Sequence, residues 1–134
     1  MAITESDYVE KAEHAVLEHK KEMVDNNQRS KKPIGMVTTS KIRNLLAMSA
    51  DIYNEVINCR SEALSEEIRG RISYLKIRFI YEAGREPSVK SFIEKACILN
   101  YIKEINGSKK KYLLFHKYME ALVAYHRYYG GKDN

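Results

Sequence analysis

The sequence predicts an all-α protein that folds as a single compact bundle of about five helices. Its 134 residues include only two prolines and six glycines. Apolar residues recur at three- and four-residue steps along several segments, which is the spacing of one buried helical face. No segment alternates apolar and polar residues for long enough to form a strand. A chain of this length is expected to form one domain, residues 1–134.

The first helix is predicted from about Ser6 to Asp25, on a highly charged background. Residues 1–25 carry seven acids and three bases, and their apolar stripe is weak. We therefore expect an acidic first helix that docks only loosely on the rest of the bundle. Residues 26–37 lack helical periodicity and contain Pro33 and Gly35, so they are predicted to form a loop.

The second and third helices follow from capping residues and strong periodicity. The hydroxyl-bearing run Thr38–Ser40 is suited to an N-cap, and the second helix is expected to end near Cys59. A third helix is predicted to begin around Ser61 or Leu64 and to run to Ala83, with Gly84 as its stop.

Two more helices complete the predicted bundle. The fourth opens at Pro87, where the missing amide hydrogen costs no helical hydrogen bond, and runs to Ile105. The turn at 106–107 closes it. Ser108 then caps a last helix that ends near Tyr129. His126 falls on the apolar stripe of this helix and is expected to fill a polar niche in the core.

The sequence argues against several classes of protein. It has no apolar run near the roughly 20 residues of a membrane span, and its first residues do not resemble a signal peptide. Cys59 and Cys97 lack metal-ligand spacing and are expected to be reduced, core-filling thiols of a cytoplasmic protein. No nucleophile elbow, glycine-rich phosphate loop or metal motif is present. We therefore expect no enzymatic activity, cofactor, metal ion or membrane association.

Charge is strongly segregated along the chain. The formal net charge is +5, yet residues 26–45 carry five bases and no acid, while residues 46–67 carry five acids and one base. Residues 68–85 return to five bases and one acid. Such segregation indicates a cationic face for nucleic acid and an acidic face for a protein partner.

Every seventh residue along part of the third helix is an arginine: Arg71, Arg78 and Arg85. Seven residues fall only about 20° short of two turns, so these side chains share one face over roughly 21 Å. Tyr74 and Tyr81 flank them. This arginine row suits a regularly spaced polyanion. The alternative is that the arginine stems cover the margin of the apolar face.

The start of the second helix offers a weaker anion site. Lys41 and Arg43 lie in its first turn, close to unpaired backbone amides. Ordinary capping is the alternative interpretation. Because Lys41 and Arg43 project about 160° apart, only one of them is expected to reach a ligand. Lys76 likewise points about 160° away from Arg78 and does not belong to the arginine row.

Three ordered segments resemble the small subunit of the type III-A CRISPR (Csm) effector complex. They are Thr38–Asn44, the pair Tyr74–Lys76 and Tyr81–Arg85, and Tyr118–Gly131, which together span a family-like core at 38–131. The resemblance implies a small, all-helical, non-catalytic protein. Several copies would form an inner filament along the guide RNA–target RNA duplex. That filament would face the backbone subunits and adjoin the large subunit.

The resemblance and the residues together predict an RNA-binding surface without base specificity, because base pairing carries the sequence in guide-programmed complexes. The acidic segments would contact neighbouring subunits or further copies of the chain, in a filament or a dimer. The main alternative is a helical adaptor that binds only protein. A helix-turn-helix regulator of DNA is a third, disfavoured by the length of the helices. The expected RNA-binding residues are Lys41, Arg43, Arg71, Arg78 and Arg85.

Overall fold

The computed structural model describes residues 2–29 and 35–130. The regular elements in this part of the chain are helices joined by short connections, and it contains no strand. An isolated β-bridge joins Ala63 and Ser108. The all-α prediction is confirmed. No helix in these two ranges combines the length and apolar character of a membrane span. The helices are α1 (Tyr8–Arg29), α2 (Thr39–Val56), α3 (Glu66–Arg85), α4 (Pro87–Lys95), α5 (Ile98–Ile105) and α6 (Lys109–Tyr128).

The predicted fourth helix is two helices, so residues 2–29 and 35–130 contain six helices rather than five. The helix is interrupted between α4 and α5, where Cys97 adopts a left-handed conformation with φ of 54°. No glycine or proline marks this break, and the sequence therefore gave no signal for it. Cys97 is exposed and Cys59 is half-buried, so the prediction of core-filling thiols is wrong for Cys97.

Other boundaries also differ from the prediction. The helix α2 ends at Val56 rather than near Cys59, and α3 begins at Glu66, capped by Ser65, rather than at Ser61 or Leu64. The helix α1 continues to Arg29, into the predicted loop, of which residues 30–34 lie outside the described chain. The helix α3 passes through Gly84 and ends at Arg85. Pro87 explains this end, because a residue before proline is driven out of the helical region. Glu86 is accordingly extended, with φ of −139° and ψ of 126°.

The core lies between α6 and the helices around it. The helix α6 packs against both α1 and α2, while α3 packs against α2 and α4. The helix α1 is a full member of the bundle rather than a loosely docked one. Its stripe looked weak because alanines and a histidine supply much of its buried face. The buried residues of α1 are Ala12, Ala15, Val16, His19 and Met23.

Two buried histidines hold the backbone that leads into α2. The Val37 N–H donates to His19 Nε2 at 3.1 Å, and His126 Nε2 donates to the Val37 carbonyl at 2.6 Å. Neutral His19 is therefore protonated on Nδ1, which donates to Ser91 Oγ at 2.9 Å. Both histidines are fully buried. The expectation of a core niche for His126 is confirmed, and we call this arrangement the Val37 clamp.

Acidification should weaken the fold through the Val37 clamp. Burial, and to a lesser degree the nearby His126, lowers the pKa of His19 from 6.5 to about 4. Between these values the unfolded chain binds the extra proton and the folded chain does not. The contribution of neutral His19 to the free energy of unfolding is thus complete above about pH 6.5 and is lost as the pH falls to about 4. We expect a loss of about 3 kcal/mol in the free energy of unfolding, measured by urea denaturation.

A matched pair of variants isolates this effect. His19→Gln should flatten the pH dependence between pH 4 and 6.5, whereas His14→Gln should leave it unchanged because His14 is exposed. An equally steep pH dependence in His19→Gln would contradict the assignment.

The turn between α5 and α6 is tied to the segment before α3. The Leu64 N–H donates to the Gly107 carbonyl at 2.9 Å, and the Lys109 N–H donates to the Glu62 carbonyl at 2.8 Å. The Glu62 carboxylate also accepts from the Ser108 hydroxyl at 2.7 Å. Gly107 has φ of +77°, and a Cβ on it would lie 3.0 Å from Cζ of Arg69. This turn therefore requires glycine.

Gly107→Ala should destabilise the protein by about 1–2 kcal/mol, because alanine is strained at this φ. Gly70→Ala is the control, since Gly70 lies inside α3 with open space around its missing Cβ. It should stabilise the protein by up to about 1 kcal/mol. Thermal unfolding of both variants checks the prediction, and equal effects of the two substitutions would contradict it.

Candidate nucleic-acid interface

The helices α2 and α3 enclose a groove of about 560 Å³ along one side of the bundle. They run antiparallel, since ion pairs join opposite ends of the two helices. Arg71, early in α3, pairs with Glu55 near the end of α2. Lys41, at the start of α2, pairs with Glu86 just after α3. The groove is lined by Asn44, Met48, Asp51 and Ile52 of α2 and by Glu67, Gly70, Arg71, Tyr74, Leu75 and Arg78 of α3.

The arginine row faces outward: Arg71 and Arg78 line this groove, and Arg85 lies beyond its lining on the same face of α3. The side chains of Arg71, Arg78 and Arg85 are 40%, 44% and 55% exposed. The opposite side of α3 is buried through Ile68, Ile72, Leu75 and Phe79. The arginines therefore lie beside the core rather than within it.

Exposed tyrosines flank the row. Tyr74 and Tyr81 are 59% and 58% exposed. The guanidinium carbon of Arg85 lies 5.6 Å from the centre of the Tyr81 ring, which is the range of a cation–π contact. The result is a surface of alternating cations and aromatic rings on one helix.

Every arginine of the row already contacts a carboxylate. Arg71 contacts Glu55, while Arg78 and Arg85 share Glu82 at 3.9 Å and 3.4 Å. The spacing of Glu82 from these two arginines was visible in the sequence. The pair between Glu55 and Arg71 was not, because it depends on how α2 packs on α3. Glu82 is only 18% exposed, but both of its arginine partners are exposed and lie at 3.4 Å or more from it. Surface pairs with these arginines contribute little stability, so the arginines remain available to a stronger anion.

The two basic residues of α2 are separated by the structure. Lys41 lies toward α3, where it contacts Glu86. Arg43 is exposed, does not line the groove and lies about 160° around α2 from Lys41. The Thr38 hydroxyl accepts from the Lys41 N–H at 3.3 Å, so ordinary capping uses part of this helix start. The structure thus brings Lys41 to the end of the arginine row and leaves Arg43 apart.

One polar residue of the groove, Asn44, was not predicted from the sequence. Asn44 lines the groove from α2 and adds an amide group opposite the arginines. Only its place one turn after Lys41 could have indicated this. Within residues 2–29 and 35–130, no three His, Cys, Asp or Glu side chains are grouped closely enough to hold a metal ion.

The class of this protein follows from its similarity to known proteins. Similar proteins, each named "CRISPR system Cms protein Csm2", occur in Streptococcus thermophilus, Enterococcus italicus and Mycobacterium tuberculosis. The first is 40% identical over 98% of both chains. The second is 41% identical over 85% of this chain and 84% of the relative. The third is 33% identical over 99% of both. The chain is therefore one of the all-helical proteins of CRISPR systems.

The particular family follows from the residues that match it. The family described as Csm2 Type III-A matches residues 18–132, which is most of the chain. The chain belongs to this family. The resemblance noted in the sequence is thereby confirmed, and the match begins within α1, earlier than the core at 38–131.

The ion pair between Arg71 and Glu55 should contribute less than about 1 kcal/mol to stability, because both groups are exposed. A double-mutant cycle with Arg71→Gln and Glu55→Gln measures this coupling in the free energy of unfolding. The control cycle combines Glu55→Gln with Arg85→Gln, which should show no coupling because these residues have different partners. A coupling above 2 kcal/mol would show that the pair is a structural bond and unavailable to a ligand.

Proposed function

We propose that the chain is a non-catalytic small subunit of a type III-A Csm complex in the cytoplasm, where it binds the backbone of the guide RNA–target RNA duplex without base specificity. The observation that carries this proposal is the outward-facing arginine row beside the α2–α3 groove. Base pairing supplies the sequence recognition in such complexes, so a protein along the duplex needs only to contact phosphates and sugars.

The chemistry of the row suits this role. Arginine binds phosphate through two parallel charged hydrogen bonds, which lysine cannot do. Lys41 continues the row beyond Arg85, on the far side of Glu86. None of these contacts distinguishes one base from another.

Binding of RNA at this surface is an exchange of partners. Each arginine leaves a carboxylate and takes a phosphate oxygen. Because exposed ion pairs contribute at most about 1 kcal/mol, the exchange costs little. Released Glu55 and Glu82 remain at the edge of the groove, where repulsion from RNA holds them away from the duplex.

The outer face of α3 supports contacts with other subunits. Four large side chains there, Tyr74, Ile77, Ile80 and Tyr81, are 49–59% exposed. A concentration of exposed apolar residues on one helix marks an interaction surface. We assign it, together with the acidic α1, to the backbone and large subunits and to neighbouring copies of this chain in a filament or dimer.

A second candidate function is a helical adaptor that binds only protein. The observation that favours it is the carboxylate partner of each arginine in the row. Under this alternative, the arginines join α2 to α3 and stabilise α3, and RNA does not reach them.

Two variants of the chain, assembled into the complex with guide RNA and the other subunits, separate the candidates. The first is Arg71→Gln with Arg78→Gln and Arg85→Gln. It should reduce the slope of log affinity for target RNA against log salt concentration by about 2–3, because three phosphate contacts are lost. The second is Glu55→Gln with Glu82→Gln. It should bind target RNA more tightly, because it removes the acids that compete for the arginines.

Thermal unfolding of the same variants provides the control. Both variants break the same ion pairs and should lose similar, small amounts of stability. If both assemble and bind RNA alike, with an unchanged salt dependence, the arginine row does not contact RNA and the adaptor candidate is favoured.

A further inference from the structure

The flank of α3 opposite the arginine row forms a second cationic groove. Arg69, Ser73 and Lys76 project there toward α5 and the turn that follows it. The groove encloses about 240 Å³. Its polar lining is completed by Lys103 and Asn106, and it contains no acidic residue. Ile72, Ile102 and Ile105, which are buried, form its floor.

The cations of this groove differ from the arginine row in their partners. Arg71, Arg78 and Arg85 each contact a carboxylate. Across the described ranges, Arg69, Lys76 and Lys103 form no such pair. Three positive charges thus converge on a small space without compensation. An anion that enters the groove would therefore meet positive charges that no carboxylate already contacts.

The position of Arg69 depends on the turn after α5. Its guanidinium carbon lies 3.0 Å from the point where a Cβ of Gly107 would be, and the next nearest atom, Nε, lies 3.1 Å away. Only a glycine lets the guanidinium rest against the turn this closely. The charged end of Arg69 thus rests against this turn at the edge of the groove, although the residue as a whole is exposed.

The groove continues beyond Lys103 into a broader hollow of about 820 Å³. The two share Lys103 and Asn106, and the second reaches Lys111 in the first turn of α6. One acid, Glu104, lines this hollow. Four cations thus follow one path from α3 across α5 to α6: Arg69, Lys76, Lys103 and Lys111.

We propose that this path, which we call the α3–α5 groove, is a second nucleic-acid site that binds the sugar–phosphate backbone of one RNA strand. Arginine, lysine, serine and asparagine are the side chains that contact phosphate and sugar. No aromatic ring lines the groove, so it does not stack bases. Because the two adjoining hollows share Lys103 and Asn106, the four cations span more than one phosphate site, which suits a strand rather than an isolated ion. The site goes beyond the proposed function and does not require the arginine row to bind RNA.

The test uses the isotopically labelled full chain and a single-stranded decauridylate RNA. Amide resonances of Ser73 and Gly107 should shift when the RNA is added at low salt. Lys76→Gln with Lys103→Gln should weaken this binding and flatten its dependence of log affinity on log salt by about 1.4, at about 0.7 for each phosphate of a single strand. A control with the same charge, Lys21→Gln with Lys90→Gln, should bind like the unmodified chain.

Two further measurements decide the outcome. The variant without the arginine row should keep the shifts at Ser73 and Gly107, which distinguishes failure of the proposed function from failure of this site. A polyglutamate peptide is the competing probe. If the peptide alone shifts these amides, the groove binds an acidic protein and the nucleic-acid proposal is wrong. Shifts confined to the α2–α3 groove, or no shift with either probe, would also overturn it.

Discussion

The fold depends on how the backbone of one residue is held inside the bundle. Val37 stands between α1 and α2, and its N–H and carbonyl both bond to buried histidines, His19 of α1 and His126 of α6. A buried backbone group without a partner would cost about 1–3 kcal/mol, so this clamp makes it favourable for the chain to enter α2 through the interior. The start of α2 is thereby fixed, and with it the position of Lys41 beside the end of α3.

The helix α3 is the element on which the functional surfaces meet. One side is buried in the core, and the two flanks beside it carry the arginine row and the α3–α5 groove. The remaining side exposes Tyr74, Ile77, Ile80 and Tyr81. A helix with so much exposed apolar surface is poorly suited to a free monomer. Its composition suits the proposed assembly, in which the outer side would meet protein and the flanks would meet RNA.

Periodicity and capping predict α1, α2, α3 and α6, because these are local properties of the chain. Ser108 and Thr38 act as caps as expected. The left-handed Cys97 could not be predicted, since nothing local distinguishes it from a helical residue and tertiary packing imposes the break. The docking of α1 was underestimated for a related reason: His19 counts as polar in a sequence pattern but is buried once Val37 and Ser91 satisfy its ring nitrogens.

The candidate sites show the same limit. Helical geometry correctly placed three arginines in one exposed row and correctly removed Lys76 from it. It could not show that Lys76 meets Lys103 on the other flank, because that convergence depends on how α5 folds back after Cys97. Nor could it show that Glu55 reaches Arg71 from a neighbouring helix. Long-range pairs of this kind are set by the packing of the bundle, and a single sequence does not reveal them.

If the arginine row binds RNA as proposed, the carboxylates beside it would make it selective for the length of its ligand. A small anion such as a nucleotide can replace only one carboxylate, and it gains little because it must displace a partner that is already in place. A polymer that touches all three arginines sums three small gains while losing its freedom of motion only once. The arginine row is thus expected to bind the abundant short phosphates of a cell weakly and an extended duplex more tightly.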